Sequence, residues 1–366
     1  MKLEGYRVVD LSQLLPGPHL SMIMADHGAE VIKVEPPGGG DPGRHVGLVQ
    51  GEHTVFFSNA NRGKRSVCLN LKDASDLGKL MRLLETADVL IEGFRPGVAD
   101  RLGFGAAEVT ARIPRIVYCS ISAFGQTGPY RDIPAHDLAV EAIAGSLSVN
   151  LGNDHNPAIP AIPNADMASS LMALSAILMA LLRREKTGRG DRIDISMHDA
   201  MVGWMPNILG TVFADNRAPT PKHERQWGGA AFYNVYATSD DRHIVLGGQE
   251  IKFVRALLRE LNRMDLVALA ERGPGPHQQP LIDFLCTVFS QQPQVHWIDW
   301  FASRGLPFAP VQDLQEAMQD KHLLARNMIL RDTQGRRHVG VPIKPAEPDL
   351  TVPAYGEHTA TVLGEI

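Results

Sequence analysis

The chain has 366 residues, of which 44% are hydrophobic and 21% charged, an ordinary globular mixture longer than one hydrophobic core usually supports, so two domains are expected. A formal net charge of −5 argues against a nucleic-acid partner, and three cysteines without C-x-x-C spacing argue against a disulfide framework or a zinc site. The first residues carry no apolar leader core, and the apolar run Leu171–Leu182 is interrupted by serine and short for a bilayer, so no membrane partner and a soluble, cytoplasmic location are expected.

In chain order, Tyr6–Leu11 reads as a strand, Gly17–His27 as a helix opened by P-G-P, and Val31–Val34 and Val67–Leu69 as further strands. Ala74–Thr86 reads as a helix, and Val89–Ile91 and Ile116–Ser120 as strands. This alternation predicts an α/β fold with a mostly parallel, doubly wound sheet, whose ligands bind beyond the carboxyl ends of the strands. No G-x-G-x-x-G follows the first strand and no G-x-x-x-x-G-K-[ST] occurs, which speaks against an ordinary dinucleotide site and a Walker NTPase. Helical spacing returns at Leu138–Ala144, closed by Gly145, and at Met167–Leu182, followed by Arg183, Arg184, Lys186 and a terminating Gly188. A helix is also read at Asp199–Leu209. Residues 218–230 mix Pro, Gly and charge as a linker does, separating a large domain, 1–217, from a small α+β domain, 231–325. That second domain reads as a hairpin turning at S-D-D, then helices at Lys252–Leu261, Pro280–Ser290 and Val295–Arg304.

The stretch richest in chemistry sets His136 and Asp137 at one helix start and Asp166 at the next, thirty residues after the histidine. Asp166 reads as the cap of its helix, where backbone N–H groups and the helix dipole favour the ionised carboxylate, ready as base or nucleophile. Locally, an N-cap aspartate, a structural histidine and a first-turn charge account for the same three residues.

Longer phrases carry a resemblance: R-V-V-D-L-S-Q-L-L-P-G-P at 7–18, M-A-D-H-G-A-E-V-I-K-V-E-P-P at 24–37, N-R-G-K-R-S-V-C-L-N-L-K at 61–72 and A-D-V-L-I-E-G-F-R-P-G-V-A-D-R-L-G at 87–103. G-Q-T-G-P at 125–129 and R-R-E-K-T-G-R-G at 183–190 extend it. Over nearly its whole length the chain resembles the family III CoA-transferases and the related α-methylacyl-CoA racemases. The resemblance implies a Rossmann-like large domain, a smaller domain, a C-terminal segment, 326–366, that returns to the large domain, and an interlocked homodimer. It implies an acyl-CoA substrate, no further cofactor and no metal. Leu14, Lys33, Asn70, Leu71, Lys72, Gly93, Phe94, Arg95 and Arg101 match positions the family uses around CoA, whose phosphates call for cations and whose adenine packs on apolar walls.

Two reactions fit that resemblance. In the transferases an aspartate matching Asp166 attacks the thioester, and an aspartyl-CoA thioester then passes CoA to an acceptor acid. In the racemases the aspartate works with a histidine thirty residues earlier, and a glutamate matching Glu250 stands beside that histidine. His136 in A-H-D-L matches the racemase histidine, so reversible α-proton transfer on a 2-methylacyl-CoA through an enolate leads, with Asp166, His136, Glu250 and Asp137 as the catalytic set. Met167-Ala168-Ser169-Ser170 after Asp166 is closer to the transferase pattern, which makes CoA transfer the alternative. A non-catalytic CoA-binding protein ranks below both.

Overall fold

The computed structural model of the chain describes residues 1–152 and 154–366. By internal contacts the chain divides into two compact units. Met1–Ser146, Ile159–Trp204 and Lys321–Ile366 form the larger, and Leu147–Ala158 and Met205–Asp320 the smaller. The boundary falls before the expected linker because the stretch ahead of it gives the sheet nothing to bury: the helix Gly210–Asp215 has no buried residue. The C-terminal segment rejoins the larger unit at Lys321.

In the larger unit six parallel strands are β1 (Arg7–Asp10), β2 (Glu30–Glu35), β3 (Lys64–Cys68), β4 (Val89–Glu92), β5 (Val117–Ser122) and β6 (Asp191–Ser196). Their order is β3-β2-β1-β4-β5-β6, so the chain winds outward one way from β1 and then the other way from β4. Sheets covered on both faces need strands apolar throughout rather than alternating. V-V in β1, V-I in β2 and V-L-I in β4 answer that need, and Val8, Val9, Ile32, Leu90 and Ile91 are fully buried. The expected strands are all present, displaced by a few residues at their ends.

Helix α1 (Pro16–Asp26) starts with proline at its first position, where the missing N–H leaves no donor unsatisfied. Asp73 caps α2 (Ala74–Glu85) by accepting from the Ser75 and Asp76 N–H groups at 2.9 and 3.1 Å. Then come α3 (Asp137–Ala144) and α4 (Asn164–Thr187), which pack against each other. Gly188, at φ 70°, ends α4, and Gly190 sits so close to the chain entering β5 that a Cβ there would meet the Ile116 carbonyl oxygen at 1.8 Å. By length and composition α4 could cross a membrane, yet half of its apolar window is buried within the protein, as in a core helix.

The smaller unit is α+β. Its antiparallel strands β7 (Asn234–Ala237), β8 (His243–Leu246) and β9 (Phe308–Pro310) lie in the order β9-β8-β7. Around them stand α5 (Ile251–Glu260), α6 (Gln279–Phe289) and α7 (Gln294–Phe301), whose core is built on Tyr236, Leu257, Leu285, Phe289 and Trp297.

Candidate active site

The start of α4 is built by α3 rather than by its own preceding residues. Pro163 stands at the N-cap and offers no side-chain bond. Instead the buried Glu141 carboxylate accepts from the Asn164 N–H at 3.1 Å, and Asp137 Oδ1 accepts from the Ala165 and Asp166 N–H groups at 2.8 and 3.0 Å. Asp137 and Glu141 are four residues apart on α3 and so share one face, which lets a neighbouring helix satisfy the three donors that a local cap would otherwise meet.

This arrangement corrects the expectation for Asp166. It is the third residue of α4, not its cap, and the backbone donors that would have stabilised its charge are committed to Asp137 and Glu141. Burial, joined by the like charge of Asp137, pushes the Asp166 carboxyl up to about 7. Near neutral pH it therefore exists in both protonation states, which suits a group that accepts a proton and returns it. His136 is the exposed N-cap residue of α3, with extended backbone and no cap bond of its own. Its neighbour Asp137 bonds to the Asp166 backbone, so the first turns of the helices that carry the histidine and the aspartate are joined at one corner of the fold. The Asp137 carboxylate is occupied in building that corner.

One turn beyond Asp166, the Ser170 hydroxyl lies 2.8 Å from His19 Nδ1, tying α4 to α1. Burial and the nearby Lys64 and Arg62 lower His19 to about 4, so at neutral pH it is an uncharged strut. Neither Glu141 nor His19 stood out in the sequence. The i, i+4 spacing of Asp137 and Glu141 is the signal that could have found the first; His19, in P-G-P-H, offers none.

Glu250 belongs to the smaller unit, where it is exposed at the N-cap of α5 and makes no side-chain cap bond.

A cavity of about 170 Å³ opens over the carboxyl ends of β1 to β4, including the point between β1 and β4 where the winding reverses. Leu11, Val34, Pro36, Leu69 and Leu102 give it apolar walls, and Asn70, Leu71, Lys72 and Phe94 line it as well. Four of the nine expected CoA residues thus share one hollow. Asn70 shapes its own turn by accepting the Lys72 N–H at 3.2 Å, leaving the Lys72 side chain exposed. Gly93 and Arg95 are exposed on either side of Phe94, and Arg101 is exposed on the short helix that follows.

Lys33 differs from its expected role. It is fully buried, paired with Asp41 at 2.7 Å and donating to the Ser12 carbonyl at 2.9 Å, so it cannot meet a ligand phosphate as a free surface cation. Its work is to hold the 12–14 and 36–41 loops together. Leu14, at a left-handed φ of 63°, is fixed in that same assembly through its N–H, which Asp41 accepts at 3.1 Å.

A doubly wound sheet with a cavity at its switch point, and an aspartate raised toward neutrality at a helix start, define an α/β enzyme framework. The family model described as CoA-transferase family III matches residues 3–359. Acetyl-CoA:oxalate CoA-transferase of Acetobacter aceti is 35% identical over 93% of this chain and 88% of its own. Human α-methylacyl-CoA racemase is 30% identical over 100% of this chain and 93% of its own. Among solved structures, a CaiB/BaiF family protein from Brucella suis superposes with a TM-score of 0.84 at 27% identity, covering 99% of this chain and 98% of that one. The chain belongs to CoA-transferase family III, whose relatives include both CoA-transferases and racemases.

Proposed function

We propose that the protein epimerises 2-methylacyl-CoA, removing the α-proton on one face and returning it on the other through an enolate. The observation that carries this reading is the Asp166 carboxyl, held at a helix start beside Asp137 and raised to about 7, where proton uptake and release are balanced. His136, adjacent to Asp137, supplies the second acid/base group, since an imidazole can both accept a proton and return it. The resemblance to the racemases also proposes Glu250 for this set. Human and mouse α-methylacyl-CoA racemases, 30% and 31% identical, support the reading.

In this reading the CoA adenine packs on the apolar walls of the cavity beside Phe94, while Lys72, Arg95 and Arg101 meet the phosphates. Leu14, Gly93, Asn70 and Leu71 shape the loops, and Lys33 supports them from below. The chemistry requires no metal. A homodimer is part of the proposal, supported by the exposed apolar row Leu171, Met172, Met179 and Leu182 along α4.

CoA transfer is the second reading, favoured by the 35% identity to the oxalate CoA-transferase. There the Asp166 carboxylate attacks the thioester carbonyl and expels the CoA thiolate, giving a mixed anhydride; the thiolate then attacks the aspartyl carbonyl, releasing the first acid and leaving an aspartyl-CoA thioester.

Incubation of the purified protein with 2-methylacyl-CoA in D₂O, followed by mass spectrometry, tests the choice. Deuterium at the α-carbon, lost by about 10²-fold or more in both Asp166→Ala and His136→Ala, is the expected result. CoA exchange between acids that depends on Asp166 but survives His136→Ala, without α-deuterium, replaces epimerisation with transfer.

A further inference from the structure

Among the described residues, a second carboxylate without an ion-pair partner stands at the carboxyl ends of the central strands. Glu92 on β4 pairs in register with Ser120 on β5, and Ser120 with Asp194 on β6, so the three side chains form one row across the sheet. Each acid in the row holds a loop. Glu92 Oε2 accepts the Phe94 N–H at 2.8 Å, and the two Asp194 oxygens accept the Gln126 N–H at 3.1 and 3.0 Å. Phe94 is the cavity-lining residue of the Gly93–Phe94–Arg95 turn, so the bond from Glu92 sets the height of that turn beside the hollow.

We propose that Glu92 is a positioning residue that couples CoA binding to a proton: ionised, it holds the Phe94 N–H by a charge-assisted bond and fixes the Gly93–Phe94–Arg95 turn; protonated, it releases it in part. The inference rests on the CoA-site reading above. Glu92 is 3% exposed. The groups facing it are the Ser120 hydroxyl from β5, Asp100 from the short helix Val98–Leu102 and Asp194 from β6. Tyr118 and Cys119 on β5 also feel its charge. Burial first, and then Asp100 and Asp194, raise Glu92 to about 7 against the pull of Ser120 and the Phe94 N–H. Small changes of pH near neutrality therefore change the strength with which the turn is held, since a hydrogen bond to an ionised acceptor is about twice as strong as one to a neutral acceptor.

The test is CoA binding by calorimetry from pH 6 to 8.5 on the full chain, for wild type, Glu92→Gln and Glu92→Ala. Wild-type affinity is expected to rise about fivefold more than that of Glu92→Gln across this range, because glutamine keeps the acceptor but cannot ionise. The phosphate titration of CoA is common to both proteins and cancels in the comparison. Glu92→Ala should bind more weakly at every pH. A Glu92→Gln profile parallel to wild type overturns the inference alone, whereas absence of CoA binding by wild type at every pH removes the CoA-site reading and this inference together. A measurement that needs no variant to fold is the amide resonance of Phe94 in the wild-type protein. It should titrate with a midpoint near the value of about 7 set for Glu92, and a resonance flat from pH 5.5 to 8.5 also overturns the proposal.

Discussion

Two regions of the larger unit take carboxylates out of water, fully at Asp10, Glu35 and Glu92 and in part at Asp166, and they reach opposite charge states. Beneath the loops that follow β1, β2 and β3, Asp10 is fully buried yet lies 3.1 Å from the Lys64 ammonium. Burial alone would raise Asp10, but Lys64 and Lys33 outweigh it and hold the carboxyl down at about 2, with help from the Ser12 and Ser21 hydroxyls. Glu35 is likewise lowered, because its burial is outweighed by Arg44, which reaches it at 2.7 Å, by Ser66 and by the Asp41 N–H. At the α3–α4 corner and along the β4–β5–β6 row the neighbours are other acids, and Asp166 and Glu92 both rise to about 7. What differs is the supply of cations. The first region is a scaffold whose carboxylates stay ionised at every physiological pH, and the second keeps carboxyls that change state near neutrality, which is where acid/base work is done.

Breaking the scaffold should have the largest effect. Asp10→Ala strips the partner from the buried Lys64 and should cost about 3–5 kcal/mol of stability in urea unfolding, because an unpaired buried charge remains. A loss below about 1 kcal/mol would show that Asp10 is not the keystone its pairing implies. Asp166→Asn should act in the other direction. The native Asp166 carboxyl binds its proton more tightly than the unfolded one, at about 7 against 3.8, so its contribution to stability is complete below the unfolded value and is lost as pH rises through the native one. Asparagine imitates the protonated form. The variant should therefore gain on wild type between pH 5 and 8 and be more stable at pH 8 by roughly 1–3 kcal/mol, discounted for the side of the group open to solvent. If the Asp166→Asn variant were instead the less stable protein at pH 8, Asp166 would join Asp10 among the stabilised carboxylates.

The two regions were unequally legible in the sequence. The parallel sheet was plain, because buried strands such as V-V in β1 and V-L-I in β4 are unbroken apolar runs between turn signals. Asn70, Leu71, Lys72 and Phe94 were found through family phrases and do share a cavity. Lys33, expected from family phrases at the CoA site, gave no sign in the sequence of its burial against Asp41, which comes from a glycine-rich loop that only tertiary structure folds back over it. The capping of α4 was hidden for a related reason. Helix caps are read from adjacent residues, and here the acceptor for Ala165 lies 28 positions upstream, on another helix. Glu92, at the end of V-L-I-E, reads as an ordinary strand-end charge; its burial and its row with Ser120 and Asp194 exist only once the sheet is assembled. The excursion of 147–158 into the smaller unit had no sequence signal.

The smallest change separates the two duties of Asp137. Its carboxylate caps α4 and its charge lifts Asp166, and Asp137→Asn keeps the first while removing the second, since an amide oxygen can still accept the Ala165 and Asp166 N–H groups. Stability should change by less than about 1 kcal/mol, the range separating good capping residues. Removing a like charge favours ionisation, so the Asp166 carboxyl should fall from about 7 toward the ordinary aspartate range. CoA transfer, and epimerisation in the direction in which Asp166 removes the α-proton, need Asp166 ionised to begin. The rise of kcat/KM with pH should therefore move to lower pH, by about one unit, while the plateau rate stays near wild type. Asp137→Ala should lower both the limb and the stability, by about 1 kcal/mol more than asparagine, because no acceptor remains. An unmoved limb in Asp137→Asn would leave burial as the whole cause of the Asp166 shift and reduce Asp137 to a cap. A limb moved equally by Glu141→Gln would instead spread the effect over every acid at that corner.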